Sequence, residues 1–122
     1  MEQEVLFEQQ DFESNKIYGI LSYIPFLFLI GLFAAPRSAY ARFHANQGLV
    51  LTITSIILGV VQRFLSFFLH LVFFDFIAGI ISWVVGLAVS GLTLILIVVG
   101  IMNALSGAAK ELPIIGVIKF IR

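Results

Sequence analysis

The sequence predicts an all-α integral membrane protein with three transmembrane helices, an interfacial amphipathic helix and a short basic amphipathic C-terminal segment. A fourth span is the alternative. Three observations carry the prediction. The chain of 122 residues is 61% hydrophobic and 11% charged, where soluble domains hold about 45–50% and 25%. Its mean hydropathy is +1.10. Three long runs, residues 17–36, 43–62 and 76–109, carry no charge at all. A soluble domain of this size buries only about two-thirds of its surface, too little to hide so many apolar side chains.

Taken in order, residues 1–15 read as a solvated acidic tail with Glu2, Glu4, Glu8, Asp11 and Glu13. Residues 16–122 form a single transmembrane domain. Within the tail, Glu4, Glu8 and Asp11 can share a face of a short helix whose other side carries Val5 and Phe12. No basic stretch followed by a small-residue cleavage site precedes the first apolar run, so it reads as a retained span over about 17–35. The uncharged positions 17–36 cover about 30 Å as a helix, one hydrocarbon thickness. Pro25 lies inside this run and is expected to kink it.

The second span is residues 43–62, and the third runs over about 76–104. The third uncharged run continues to residue 109 and would make about 51 Å of straight helix. It reads as one tilted helix, bending near Val89, Ser90 and Gly91. Between these spans, Arg63, Ser66 and His70 fall on one narrow helical stripe with apolar residues around it, which suits an interfacial helix over 63–75. An extension of the second span over the same residues is the alternative. Asp75 fits as the N-cap of the third helix. With three spans, Arg37, Arg42, Lys110, Lys119 and Arg122 share one side, against Lys16 and Arg63. That asymmetry places the loop and the C-terminus in the cytoplasm and the acidic N-terminus outside.

The most polar cluster, Arg42, His44, Asn46 and Gln47, stands at the mouth of the second span. Arg42 can anchor there by reaching lipid phosphates. The amides and the imidazole can make interhelical hydrogen bonds, or form a polar site facing a partner or a wet recess. The stretches "GILSYIPFLFLIGLF", "YARFHANQGLVL" and "GIMNALSGAAKELPIIGVIKFI" resemble a family of small bacterial membrane proteins related to the Tic-twenty subunit of the chloroplast inner-envelope import machinery. The resemblance covers roughly Lys16 to Arg122. It implies a multi-pass protein of the bacterial cytoplasmic membrane, and a translocon role for the plant relative, which is usually drawn with four spans.

Small residues recur at four-residue spacing in the third run, at Ala78, Ser82, Gly86 and Ser90, and again at Gly100, Ala104 and Ala108. Such ridges let helix backbones approach closely in lipid, within the chain or across a homo-oligomeric seam. Asn103 is the strongly polar residue late in this run and is expected to hydrogen-bond to a neighbouring helix. Pro113 ends the preceding helix, and residues 113–122 place Lys119 and Arg122 on one face as lipid-facing basic residues. A tail docked onto the protein's own helices is the alternative.

No catalytic residue, metal-ligand spacing or cofactor motif emerges. His44 and His70 belong to different elements, no serine sits in a nucleophile elbow, and basic residues are too scattered for nucleic acid. The reading that fits is a non-enzymatic accessory or scaffold subunit, in contact with membrane lipids and assembled as a homo-oligomer or within a larger membrane complex. A channel or translocon component, and a lipid-interacting or immunity-type protein, are the alternatives.

Overall fold

The computed structural model describes residues 7–121. Glu2, Glu4, Val5 and Arg122, which carried expectations above, lie outside the described residues. Four helices run α1 (Gln9–Leu21), α2 (Phe28–Ala34), α3 (Ala39–Val72) and α4 (Asp75–Ser106), followed by a 3-10 turn at Ile115–Val117. No strand occurs among the described residues.

The first uncharged run is two helices rather than one. α1 stops at Leu21, four residues before Pro25, whose ring would clash with that carbonyl in a continuous helix. Phe26 then takes a positive φ of 70°, which turns the chain sharply. α2 folds back along α1, so that the Gly31 backbone packs against Tyr18 and a Cβ at Gly31 would lie 3.0 Å from Tyr18 Cβ. The acidic segment is drawn in as well, because residues 9–15 are the first half of α1.

α3 begins where Ser38, in extended geometry, accepts a 3.0 Å hydrogen bond at its hydroxyl from Ala41 N. It then continues for 34 residues. Neither glycine nor proline occurs between positions 60 and 72, so nothing interrupts it. The separate interfacial helix expected over 63–75 is therefore the distal part of α3. Phe73 and Phe74 are both extended and reverse the chain, and α4 starts at once. Asp75 occupies the first helical position while Phe74 is the cap residue, so the carboxylate complements the helix dipole without capping it. α4 runs unbroken through Val89–Gly91 and ends at Gly107, which takes the left-handed φ of 73°.

α3 and α4 thus form a long hairpin with two unlike ends. At the head, α1, α2 and the C-terminal segment wrap it, and Tyr23, Leu51, Leu96, Ala104 and Leu112 form a buried core. Away from the head the hairpin is bare. Between residues 53 and 95 only Ala78 is buried, and large apolar side chains such as Phe64, Leu71, Phe74 and Trp83 are exposed by 62%, 66%, 84% and 69%. α3 and α4, with mean hydropathies of 1.8 and 2.7, are long and apolar enough to cross a membrane.

Candidate functional site

Buried polar side chains gather at the polar mouth of α3. Its residues face inward in a helix that is clothed only here. Tyr40, His44, Asn46 and Gln47 are all buried, while Arg42 is half-buried.

The two amides hold the C-terminal segment. Gln47 Nε2 donates to Gly116 O at 2.9 Å, and its Oε1 accepts from Leu112 N at 2.8 Å. Asn46 Nδ2 donates to Ile118 O at 2.9 Å, and its Oδ1 accepts from Phe120 N at 2.7 Å and Ile121 N at 2.9 Å. A segment with no ladder of its own thus gets its backbone groups paired by side chains of α3. Gly116 is required at that contact, since a Cβ there would lie 2.7 Å from Gln47 Oε1. The backbone groups these amides bind belong to the same chain. The tail is accordingly docked on α3, with Ile114, Val117 and Phe120 left exposed.

Beside them, two tyrosines and His44 form a buried knot. The Tyr23 hydroxyl and His44 Nδ1 share a hydrogen bond of 2.5 Å, and the Tyr40 hydroxyl donates to Ala104 O at 2.7 Å. Tyr40 and His44 rings lie 4.8 Å apart, with Phe7, Phe12 and Phe43 packed edge-on or tilted around them. His44 Nε2 has no hydrogen-bond partner among the described residues, and the Ala108 backbone is the polar group that acts on the ring. Glycines admit the knot: a Cβ at Gly100 would lie 2.1 Å from Tyr23 Cδ1, and one at Gly19 would lie 2.2 Å from the Tyr40 hydroxyl.

Asp11 closes the head from below. Its carboxylate accepts from the Ser38 hydroxyl, from Tyr40 N at 3.0 Å and from Asn15 Nδ2 at 2.9 Å. Burial works to raise its pKa, but the hydrogen bonds from Ser38, the Tyr40 backbone, Asn15 and the Ala39 backbone outweigh it and hold the carboxyl below its ordinary 3.8. The N-terminal segment also pairs directly with the end of α4, through Phe7 N to Gly107 O at 3.0 Å.

The remaining expected residues are scattered. Asn103 does not reach a neighbouring helix; its amide donates at 3.5 Å to Lys110 O, just beyond its own helix. Lys119 is not a free lipid-facing charge, because it is paired with Glu111 at 2.8 Å and stands over the Phe43 ring. Ala104 and Gly100 pack at the head, whereas Ser82, Gly86 and Ser90 line a groove of 480 Å³ on the bare hairpin with Gln62 and Trp83. Ser82 Oγ donates to Ser66 Oγ at 3.0 Å across the hairpin. Sequence reasoning missed Asp11, Tyr23 and Tyr40. Only the tyrosines gave a signal, as polar-tipped rings in or beside uncharged runs. No group of three His, Asp or Glu side chains among the described residues could hold a metal ion. No family model, curated protein or solved structure matches the chain.

Proposed function

We propose that this chain is a non-enzymatic assembly subunit of a membrane, in which α3 and α4 cross the bilayer as a hairpin and α1–α2 dip in and return. The observation that carries this reading is the closure of the head. Asp11 is bonded to Ser38 and Tyr40, and Phe7 to Gly107, so the N-terminal segment, the first loop and the end of α4 meet at one end. Groups in hydrogen-bond contact share a side of the bilayer. Three spans, with Asp11 and Ser38 on opposite faces, do not accommodate that contact.

Lys16, Arg37, Arg42, Lys110 and Lys119 gather at the head, and Arg63 lies 21 positions beyond Arg42 along α3. The excess of positive charge puts the head in the cytoplasm. At 34 residues α3 is about 51 Å long, more than the hydrocarbon thickness. Tilted by about 40° it projects to about 39 Å, within the roughly 40–45 Å that includes both headgroup layers. Phe67, Phe68, Phe73 and Phe74 then sit in the far interface, where aromatic rings are favoured.

The groove along Ser82, Gly86 and Ser90 is the surface for assembly with a second copy. Gln62 lies across Gly86 and makes no hydrogen bond among the described residues, and an unpaired amide in hydrocarbon is costly. An aqueous path of the translocon kind would require several copies, since one hairpin encloses none. The described residues hold no cysteine, so Ser82→Cys and Val84→Cys can each be oxidised in membranes as single-cysteine variants. Disulfide-linked dimers are expected from Ser82→Cys, absent when Gly86→Ile is added, and absent from Val84→Cys on the opposite face. Equal yields at both positions, or none at Ser82→Cys, would overturn assembly through this groove.

A further inference from the structure

At the head, a cavity of 530 Å³ opens between the start of α3 and the C-terminal segment. Phe7, Phe43, Ala109 and Ile121 give it apolar walls, and Arg42 and Lys119 supply its cations. Their charges are differently engaged. Lys119 is neutralised by Glu111, which also lines the cavity, and spends a second N–H on Gly116 O at 3.1 Å. The Arg42 guanidinium has no partner among the described residues, although it is half-buried. Among the described residues the cavity therefore holds one uncompensated positive charge beside apolar walls.

We infer that this cavity binds an anionic glycerophospholipid, with its phosphodiester on Arg42 and its glycerol and upper acyl chain against Phe7, Phe43 and Ile121. The inference rests on the membrane reading above. A phosphodiester brings one negative charge, matching the Arg42 guanidinium that is unpartnered among the described residues and whose planar fork suits phosphate oxygens. Free inorganic phosphate would leave the apolar walls wet. A zwitterionic phosphatidylcholine would bring its ammonium towards Arg42 and Lys119. Asn46 lines the cavity but contributes no freedom to adapt, since the C-terminal backbone holds its amide.

The test uses the full chain reconstituted into vesicles of equal phosphatidylglycerol and phosphatidylcholine, extracted in mild detergent and weighed by native mass spectrometry with its retained lipid. Phosphatidylglycerol should be retained in preference, and Arg42→Gln should reduce its retention roughly tenfold, as expected for one charge-assisted hydrogen bond. Arg42→Lys should keep most of the retention and thereby show that charge, rather than folding, is at issue. Lys16→Gln, which removes a head cation outside the cavity, should leave retention unchanged. Equal retention of both lipids, an unaltered Arg42→Gln, or displacement of the lipid by millimolar inorganic phosphate would each overturn the lipid site while leaving the membrane reading intact. Failure of the chain to float with either vesicle would overturn the membrane reading and the inference together.

Discussion

Asp11 and Tyr40, separated by 29 positions in sequence, are joined by a 3.0 Å hydrogen bond from the Tyr40 backbone N–H to the Asp11 carboxylate. This contact ties the acidic start of the chain to the first turn of the longest helix, and with Ser38 it fixes which segments share an end of the molecule. The carboxylate complements the free N–H groups and dipole of α3 at that terminus.

The contact makes stability depend on pH with a definite sign. The folded-state pKa of Asp11 is depressed below 3.8, so its contribution is fully present above about pH 4 and fades as pH falls through the folded value. Asp11→Asn should cost about 1 kcal/mol at neutral pH. It should also flatten the acid limb of the thermal unfolding profile measured in detergent. Amide exchange at Tyr40 should speed up in the same variant.

Gln47 and Asn46 make separate predictions from the rest of the head. Gln47→Leu leaves Leu112 N unpaired and Gly116 O with the Lys119 ammonium alone, at about 1–3 kcal/mol for the N–H that stays buried. The segment's other ties are the Asn46 bonds, Lys119 over Phe43 and the buried Leu112, so it should loosen locally before the helices unfold. Hydrogen exchange should rise at Leu112 in Gln47→Leu, and at Phe120 and Ile121 in Asn46→Leu. Protection within α3 and α4 should be retained.

Two glycines on α3 should respond oppositely to the same substitution. A Cβ at Gly48 would lie 1.7 Å from Ser22 O, a backbone atom that cannot move without shifting α1. Gly48→Ala should destabilise by about 1–3 kcal/mol. Gly59 meets nothing within 4 Å, and Gly59→Ala should stabilise by about 0.5–1 kcal/mol through helix propensity alone. Thermal unfolding of the two variants side by side checks both signs.

The head knot gives a further comparison. Tyr23→Phe removes the partner of His44 Nδ1 from a buried imidazole whose Nε2 has none among the described residues. A loss of about 1–3 kcal/mol is expected. Tyr18→Phe, whose ring carries no hydrogen bond among the described residues, should change little.

Much of this was legible in the sequence, and the failures have physical causes. Composition and uncharged runs gave the helical class and both long apolar helices. The cluster from Arg42 to Gln47 was visible as polar groups in an apolar setting, yet nothing local could show that Asn46 and Gln47 would meet residues 112–121, some seventy positions away. Pro25 signalled a disturbance but not its size, because a kink and a full reversal begin with the same missing N–H. The Arg63, Ser66, His70 stripe misled because helical periodicity is the same in a new helix and in a continuing one. The absence of any breaker between positions 60 and 72 was the better guide. Asp11 was hidden among other acids, since its role depends on α2 bringing Ser38 back beside it.

In the proposed topology Ser14, the first loop and Ser106 lie on one side of the membrane, with the Phe73–Phe74 reversal on the other. Single cysteines at Ser14, Ala39, Ser106 and Phe74, all exposed positions, can be labelled with an impermeant maleimide in sealed, oriented vesicles. Labelling of Ser14, Ala39 and Ser106 variants from the same face, and of Phe74→Cys from the opposite face, is the predicted result. Labelling of the Ser14 and Ala39 variants from opposite faces would contradict it and restore a first helix that crosses the bilayer.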